Sequence, residues 1–171
     1  PINYSIVTNI DKEHLDFYKN FSNLLESFKI FIEKTPPIGK SFLFLDDLNI
    51  RKIIKKLKTK NYFTYGFHKD SNYQVCNTRY KINYTKFDLR IKNVVSKNIH
   101  IKNISLNLIG KHNVLNAVAA ISLCLNIGVK EKIIKKALKN FSGVQRRLTK
   151  VFKKDKIEFY DDYAHHPTEI K

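Results

Sequence analysis

The hydrophobic residues of this chain change period once, and that change restricts the possible folds more than any other feature of the sequence. From Tyr4 to Phe67 short apolar runs alternate with stretches at the helical repeat. Tyr4-Ser5-Ile6-Val7-Thr8-Asn9-Ile10 reads as a strand that runs into a polar loop, 11–16. Phe21, Leu24, Leu25, Phe28, Phe31 and Ile32 then recur as one face of a helix, which Pro36, Pro37 and Gly39 bring to an end. Ser41 to Leu45 is a second strand, closed by Asp46-Asp47; Ile50, Ile53, Ile54 and Leu57 mark a second helix, and Tyr62 to Phe67 a third strand. This rhythm predicts a parallel sheet with helical crossovers. From Asn72 to Leu108 the period falls to two, through Tyr73, Val75, Tyr80, Ile82, Tyr84, Phe87, Leu89 and Ile91 and then Ile99 to Leu108, which predicts about three antiparallel strands. Helices return over Val114 to Ile127 and around Ile133, Ile134, Ala137, Leu138 and Phe141, with Gly128 and Gly143 where helix ends favour a left-handed residue. β character resumes at Leu148, Val151 and Phe152 and again at Ile157, Phe159 and Tyr160, the last read as a short buried strand. A domain boundary is expected near Ser142-Gly143-Val144. The expected fold class is therefore α/β: an incomplete parallel sheet with an antiparallel subsheet, followed by the first strands of a further unit.

Charge invites a different reading. Lys and Arg number 32 against 15 Asp and Glu, a formal net charge of +17, and such a field attracts polyanions. The lysines, however, are spread along the whole length among Asn and Ile, as codon bias in an AT-rich genome would produce, and no basic cluster joins a recognised nucleic-acid fold. A solvated basic surface with no nucleic-acid partner is the expectation, and a non-catalytic polyanion-binding domain is the alternative. Cys76 and Cys124 share no metal or redox spacing, which suits a reducing cytoplasm. The run from Val114 to Ile127 is too short, and too interrupted by Asn116, Ser122 and Asn126, for membrane insertion. The chain has no Met and begins Pro1-Ile2-Asn3 on the verge of a strand, so an internal segment of a longer protein is expected.

Chemistry concentrates in three places. Strand residues Ile157 to Tyr160 run into Asp161-Asp162, and Pro167 and Glu169 suit the opening turn of a helix, so the polar cluster lies just past a strand, where open α/β sheets bind ligands. Asp161, Asp162, His165 and His166 could be read as metal ligands, but neighbours on an extended chain point to opposite sides. The second place is Gly110-Lys111-His112-Asn113-Val114-Leu115-Asn116, where two carboxamides fall three apart on an opening helix. A carboxamide pairs a donor with an acceptor and matches the adenine N6/N7 edge; capping of the helix by Asn113 is the plain alternative. The third is Thr8-Asn9-Ile10 followed by His14 and Asp16, a loop histidine able to offer a nitrogen to a divalent ion or simply to face water. Gly39-Lys40-Ser41 mimics the end of a phosphate-binding loop, but Lys34 stands where that loop needs its first glycine, and a helix precedes it with a strand after; it is read as a turn.

Asp161-Asp162-Tyr163-Ala164-His165-His166-Pro167-Thr168-Glu169 resembles the signature that opens the C-terminal domain of the Mur ligases. Gly110 to Ala120 and Thr8 to Asp16 are similar to two further motifs of that family, in the same order, although Glu13 stands where members usually carry Asp. The resemblance implies an ATP-dependent amide-bond-forming ligase of peptidoglycan precursor synthesis, using ATP and Mg2+. Its form is most similar to members that join L-alanine to UDP-N-acetylmuramate; a related recycling ligase that adds a tripeptide is the near alternative. It also implies residue roles: Asn113 and Asn116 at the adenine, Asp162 at the ribose, Arg147 of the Gly143-Val144-Gln145-Arg146-Arg147 run at the phosphates, His166 near the uridine-nucleotide substrate, and His14 at magnesium. On this reading 1–143 is the end of the family's central ATP-binding domain and 144–171 the start of its Rossmann-like C-terminal domain. The family's phosphate-binding loop, its acidic magnesium ligand and its uridine-nucleotide domain would lie outside the segment, which is expected to be inactive alone.

Overall fold

A computed structural model describes residues 2–92, 98–147 and 149–165. The first strand, β1 (Tyr4–Val7), is followed by a single helical turn, α1 (Leu15–Tyr18), and by α2 (Phe21–Glu33), whose N-cap Asn20 accepts the Asn23 N–H. Then come β2 (Lys40–Phe44), α3 (Leu48–Ile54) and β3 (Tyr62–Gly66). Strands β1, β2 and β3 pair in parallel, with Val7 beside Leu43 and Leu43 beside Thr64. Gly39 precedes β2 directly and α2 comes before it, so Gly39-Lys40-Ser41 is a turn into a strand, as its surroundings in the sequence predict.

Alternation along the strands gives the sheet two apolar faces. Val7 and Leu43 point to one, where Leu24 and Ile32 of α2 and Ile50 and Ile53 of α3 bury against them. Phe42 and Tyr65 point to the other. There Val114, Val118 and Ile121 of α4 (Lys111–Asn126) and Ile134 of α5 (Glu131–Asn140) close the core. Each such aliphatic side chain contributes about 1.5–3 kcal/mol on burial, so both helical layers are held chiefly by packing. The end of α2 is also tied by hydroxyls: Ser5 Oγ donates to Ser41 Oγ at 2.8 Å, and Ser41 Oγ donates to Thr35 Oγ1 at 2.9 Å.

Beyond β3 the sheet changes direction. β4 (Tyr73–Tyr80) begins parallel to the last residues of β3, pairing Tyr65 with Tyr73 and Gly66 with Gln74, and then runs on past them. So short a connection between parallel strands needs a local tie. Asn72 supplies it: its Oδ1 accepts Thr64 N–H at 2.8 Å, and its N–H donates to Thr64 Oγ1 at 3.0 Å. β5 (Thr85–Ile91) and β6 (Ile99–Leu106) complete a six-stranded sheet in sequence order by antiparallel pairing. The period-two pattern thus marks real antiparallel strands, with one correction. Ile82 and Tyr84 are not strand residues; Lys81 N–H donates to Tyr84 O at 2.9 Å to close a hairpin turn, and Ile82 is 91% exposed.

After α5 the chain forms a separate hairpin of β7 (Thr149–Lys154) and β8 (Ile157–Asp161). The expected strand is there, but its expected burial is not: Ile157, Phe159 and Tyr160 are all exposed. Phe159 packs its ring 5.5 Å from that of Phe152, and a two-stranded sheet has no second layer of its own to cover such a face. Among the described residues no helix is long and apolar enough to cross a membrane.

Candidate functional site

The carboxyl ends of β1, β2 and β3 form one rim, and the carboxylates of the link between β2 and α3 fasten it. Asp46 Oδ2 accepts the Phe67 N–H at 2.6 Å, which pins the chain as it leaves β3. Gly66 has φ +145°, and any Cβ there would run into the Asp46 carboxylate, so the close approach requires glycine. Phe67 in turn lies under the Lys111 ammonium, 5.2 Å from ring centroid to Nζ, which joins the start of α4 to the same rim.

His14 stands at the β1 corner of this rim. It has left-handed backbone angles, φ 53° and ψ 33°, and its carbonyl accepts the Phe17 and Tyr18 N–H groups at 3.0 Å each to open α1. Its side chain helps line a small cleft of about 120 Å³ with Asn9, Asp11, Glu13 and Tyr18. To a divalent cation the cleft offers one imidazole, with two carboxylates on its walls. Among the described residues no three of His, Cys, Asp and Glu converge to form a ready cage. The donor chemistry suits an ion that keeps several waters or phosphate oxygens, the habit of magnesium.

Asn113 and Asn116 occupy the first turns of α4. The helix starts at Lys111 directly after Gly110, whose φ of 99° sets the entry, and no side chain caps it. The capping alternative for Asn113 therefore falls: at the third helical position it cannot act as N-cap, and its Nδ2 instead donates back to Ile109 O at 2.8 Å. Asn116 is exposed. Both amides reach the surface at the end of the helix that carries positive partial charge.

The run from Gly143 to Arg147 and the run from Asp161 to His165 come together. Tyr163 N–H donates to Arg146 O at 2.8 Å, the Arg146 guanidinium lies 4.8 Å over the Tyr163 ring, and its Nε is 3.9 Å from Asp161 Oδ2. Arg147 and Asp162 are the adjoining residues of these two runs. Asp162 Oδ1 also accepts the Ala164 N–H at 2.7 Å, an Asx-type turn that fixes the carboxylate beside its own backbone. Gly143, with φ 96°, sits against Leu108; a Cβ there would meet Leu108 Cδ2 at 3.3 Å. The arginine turn thus leaves from beside the loop that leads into α4. His166, with Pro167 and Glu169, lies outside the described residues. Reading by motif overlooked Asp46 and Asp47 as rim residues and Arg146 as the contact to Tyr163. A carboxylate pair closing a strand just before a helical run was the available signal for the first two.

Comparison with known proteins gives a consistent picture. Residues 1–124 match the Mur ligase middle domain. The UDP-N-acetylmuramate–L-alanine ligase of Pelagibacter ubique is 50% identical over 171 residues, 100% of this chain and 37% of that protein. The crystal structure of the UDP-N-acetylmuramate-alanine ligase of Thermotoga maritima superposes with a TM-score of 0.73 at 27% identity, covering 98% of this chain and 36% of that one. A murein peptide ligase of Psychrobacter arcticus superposes with a TM-score of 0.69 at 24% identity over 98% of this chain and 33% of its own, a likeness of fold alone. The chain spans little more than a third of the length of the curated relative.

Proposed function

The chain belongs to the Mur ligase family, and on that premise we propose that it serves an ATP-dependent ligase joining L-alanine to the lactyl carboxylate of UDP-N-acetylmuramate. The observation that carries this reading is agreement at half identity along the whole chain with an alanine-adding member. Residues 1–143 would close the ATP-binding domain and 144–171 would open the C-terminal one. With ATP and a nucleotide sugar as reactants, the cytoplasm is the proposed location.

A carboxylate resists attack by an amine until one of its oxygens becomes a good leaving group. In the proposed reaction a phosphoryl group passes from ATP to a lactyl carboxylate oxygen, releasing ADP. The amine of L-alanine then attacks the acyl carbon, and inorganic phosphate departs with that oxygen as the amide forms and the amine loses its proton. Within this scheme Asn113 and Asn116 hold the adenine edge and Asp162 accepts the ribose hydroxyls. Arg147 offers a guanidinium to the phosphates, and His166 lies toward the uridine nucleotide. His14 would hold Mg2+, which when bound neutralises charge on the transferring phosphoryl group.

Phosphate release with ATP, UDP-N-acetylmuramate and L-alanine tests the proposal. The 171-residue chain by itself is expected to show none. A longer protein containing it is expected to show release that depends on L-alanine. Release that required a tripeptide in place of L-alanine would move the assignment to the recycling ligase.

A further inference from the structure

The parallel ladder between β1 and β2 ends at Val7 beside Leu43, yet Ile10, three residues further on, is only 3% exposed. A backbone buried beyond the end of a ladder must find other partners for its N–H and C=O. Both come from the start of α3. Asp47 Oδ2 accepts the Ile10 N–H at 3.3 Å, and Asn49 Nδ2 donates to Ile10 O at 2.9 Å. The same Asp47 caps α3, its Oδ1 accepting Asn49 N–H at 2.7 Å and Ile50 N–H at 2.8 Å. Ile50 is fully buried in the core cluster that also holds Ile10, so the clamp stands on a fixed base.

From Ile10 to His14 little freedom remains. Asp11 Oδ1 accepts the Lys12 N–H at 2.7 Å, and Asp11 O accepts the Glu13 N–H at 2.9 Å. His14 then enters its left-handed conformation and opens α1. A tight turn of this kind transmits the orientation of its anchor, so what fixes Ile10 also fixes the direction in which the imidazole leaves the rim.

We propose that Asp47 and Asn49 are positioning residues for His14, a two-sided clamp on Ile10 that aims the imidazole at a divalent cation. This rests on the reading of His14 as a metal ligand and adds to it the device that holds the ligand in place. Supporting groups behind a metal ligand typically change affinity by about 10- to 100-fold when removed. The clamp acts through backbone at one remove, so the lower end, about tenfold, is expected.

The test titrates Mn2+ into the chain and follows paramagnetic broadening of the His14 ring resonances by NMR, a readout independent of turnover. Asn49→Ala removes the donor to Ile10 O. Asp47→Ser keeps a cap for α3 but is too short to hold the Ile10 N–H. Both are expected to need about ten times more Mn2+ for half-broadening than the unaltered chain. Thermal unfolding confirms that each variant is folded, and the two together guard against one failing to fold. Unaltered Mn2+ dependence in a folded variant, with His14 still broadened, overturns the clamp and leaves the ligand reading standing. Absence of His14 broadening in the unaltered chain overturns the ligand reading, and the clamp's purpose with it.

Discussion

Asp88 offers the sharpest test of how the antiparallel part of the sheet is built. It lies mid-strand in β5, only 6% exposed, and both neighbouring strands bulge around it. The bulges contain Asn77 and Asn103, with φ of 52° and 56°. The carboxylate ties them together: Oδ2 accepts Asn77 Nδ2 at 2.8 Å and Oδ1 accepts the Asn103 N–H at 2.8 Å, with His100 Nε2 at 3.7 Å. Asp88→Ala removes two hydrogen bonds to a charged acceptor, each worth about 1.5–3 kcal/mol, and relaxation toward water returns part of that; a loss of ~3 kcal/mol is expected. Asp88→Asn keeps the shape but can accept only one of the two donors, so about half of that loss is expected. Burial by itself pushes the Asp88 carboxyl up, but the Asn77 amide, the Asn103 N–H and the positive charge of His100 and Arg79 outweigh it and hold the group below the usual carboxylate range. A lowered folded pKa means the carboxylate's contribution is complete above the ordinary Asp value of about 3.9 and is lost as pH falls through the lower folded value. Urea unfolding followed by far-UV circular dichroism, from neutral pH downward, reads both effects. The gap between the unaltered chain and Asp88→Asn is expected to narrow below about pH 4. A loss under about 0.5 kcal/mol for Asp88→Ala, within the range of ordinary surface changes, would mean that the carboxylate does not hold the two bulges, as would a gap independent of pH.

Gly66→Ala forces a side chain into the Asp46 carboxylate at φ +145°; a loss of about 1–3 kcal/mol is expected on thermal or urea unfolding. Asn116→Ala touches neither a cap nor the core, so it is expected to leave stability within about 0.5 kcal/mol while weakening ATP by about 1–3 kcal/mol in calorimetric titration. Arg147→Ala is expected to weaken ATP far more than adenosine, because only the nucleotide offers phosphate to a guanidinium. Equal loss for the two ligands would remove Arg147 from the phosphates.

How far the sequence discloses this molecule depends on which forces act at each position. Among the described residues the six strands of the main sheet were legible because their apolar pattern follows from which side chains are buried, and Leu24, Ile32, Ile50 and Ile53 declared the helices on one face for the same reason. The single-turn α1 escaped, since four residues hold no helical period. Ile82 and Tyr84 continued an alternation into a turn, where hairpin closure rather than burial sets the backbone. The exposure of β8 was illegible because an apolar strand reads alike whether or not a layer covers it. The site divides in the same manner. Asn113, Asp162 and Arg147 are proposed from motif alone; that Asn113 does not cap depends on where α4 begins, and the Asp46–Phe67 and Asp47–Ile10 joints link segments far apart in the chain.

The proposed function requires the opening turns of α4 and the run past β8 to meet the same nucleoside. Titration of ATP into the isotope-labelled chain, followed by NMR at the side-chain amides of Asn113 and Asn116 and at the backbone N–H of Tyr163 and Ala164, tests this most directly. Both groups of resonances are expected to shift with one common dissociation constant. Movement of one group without the other, or two distinct constants, would contradict it.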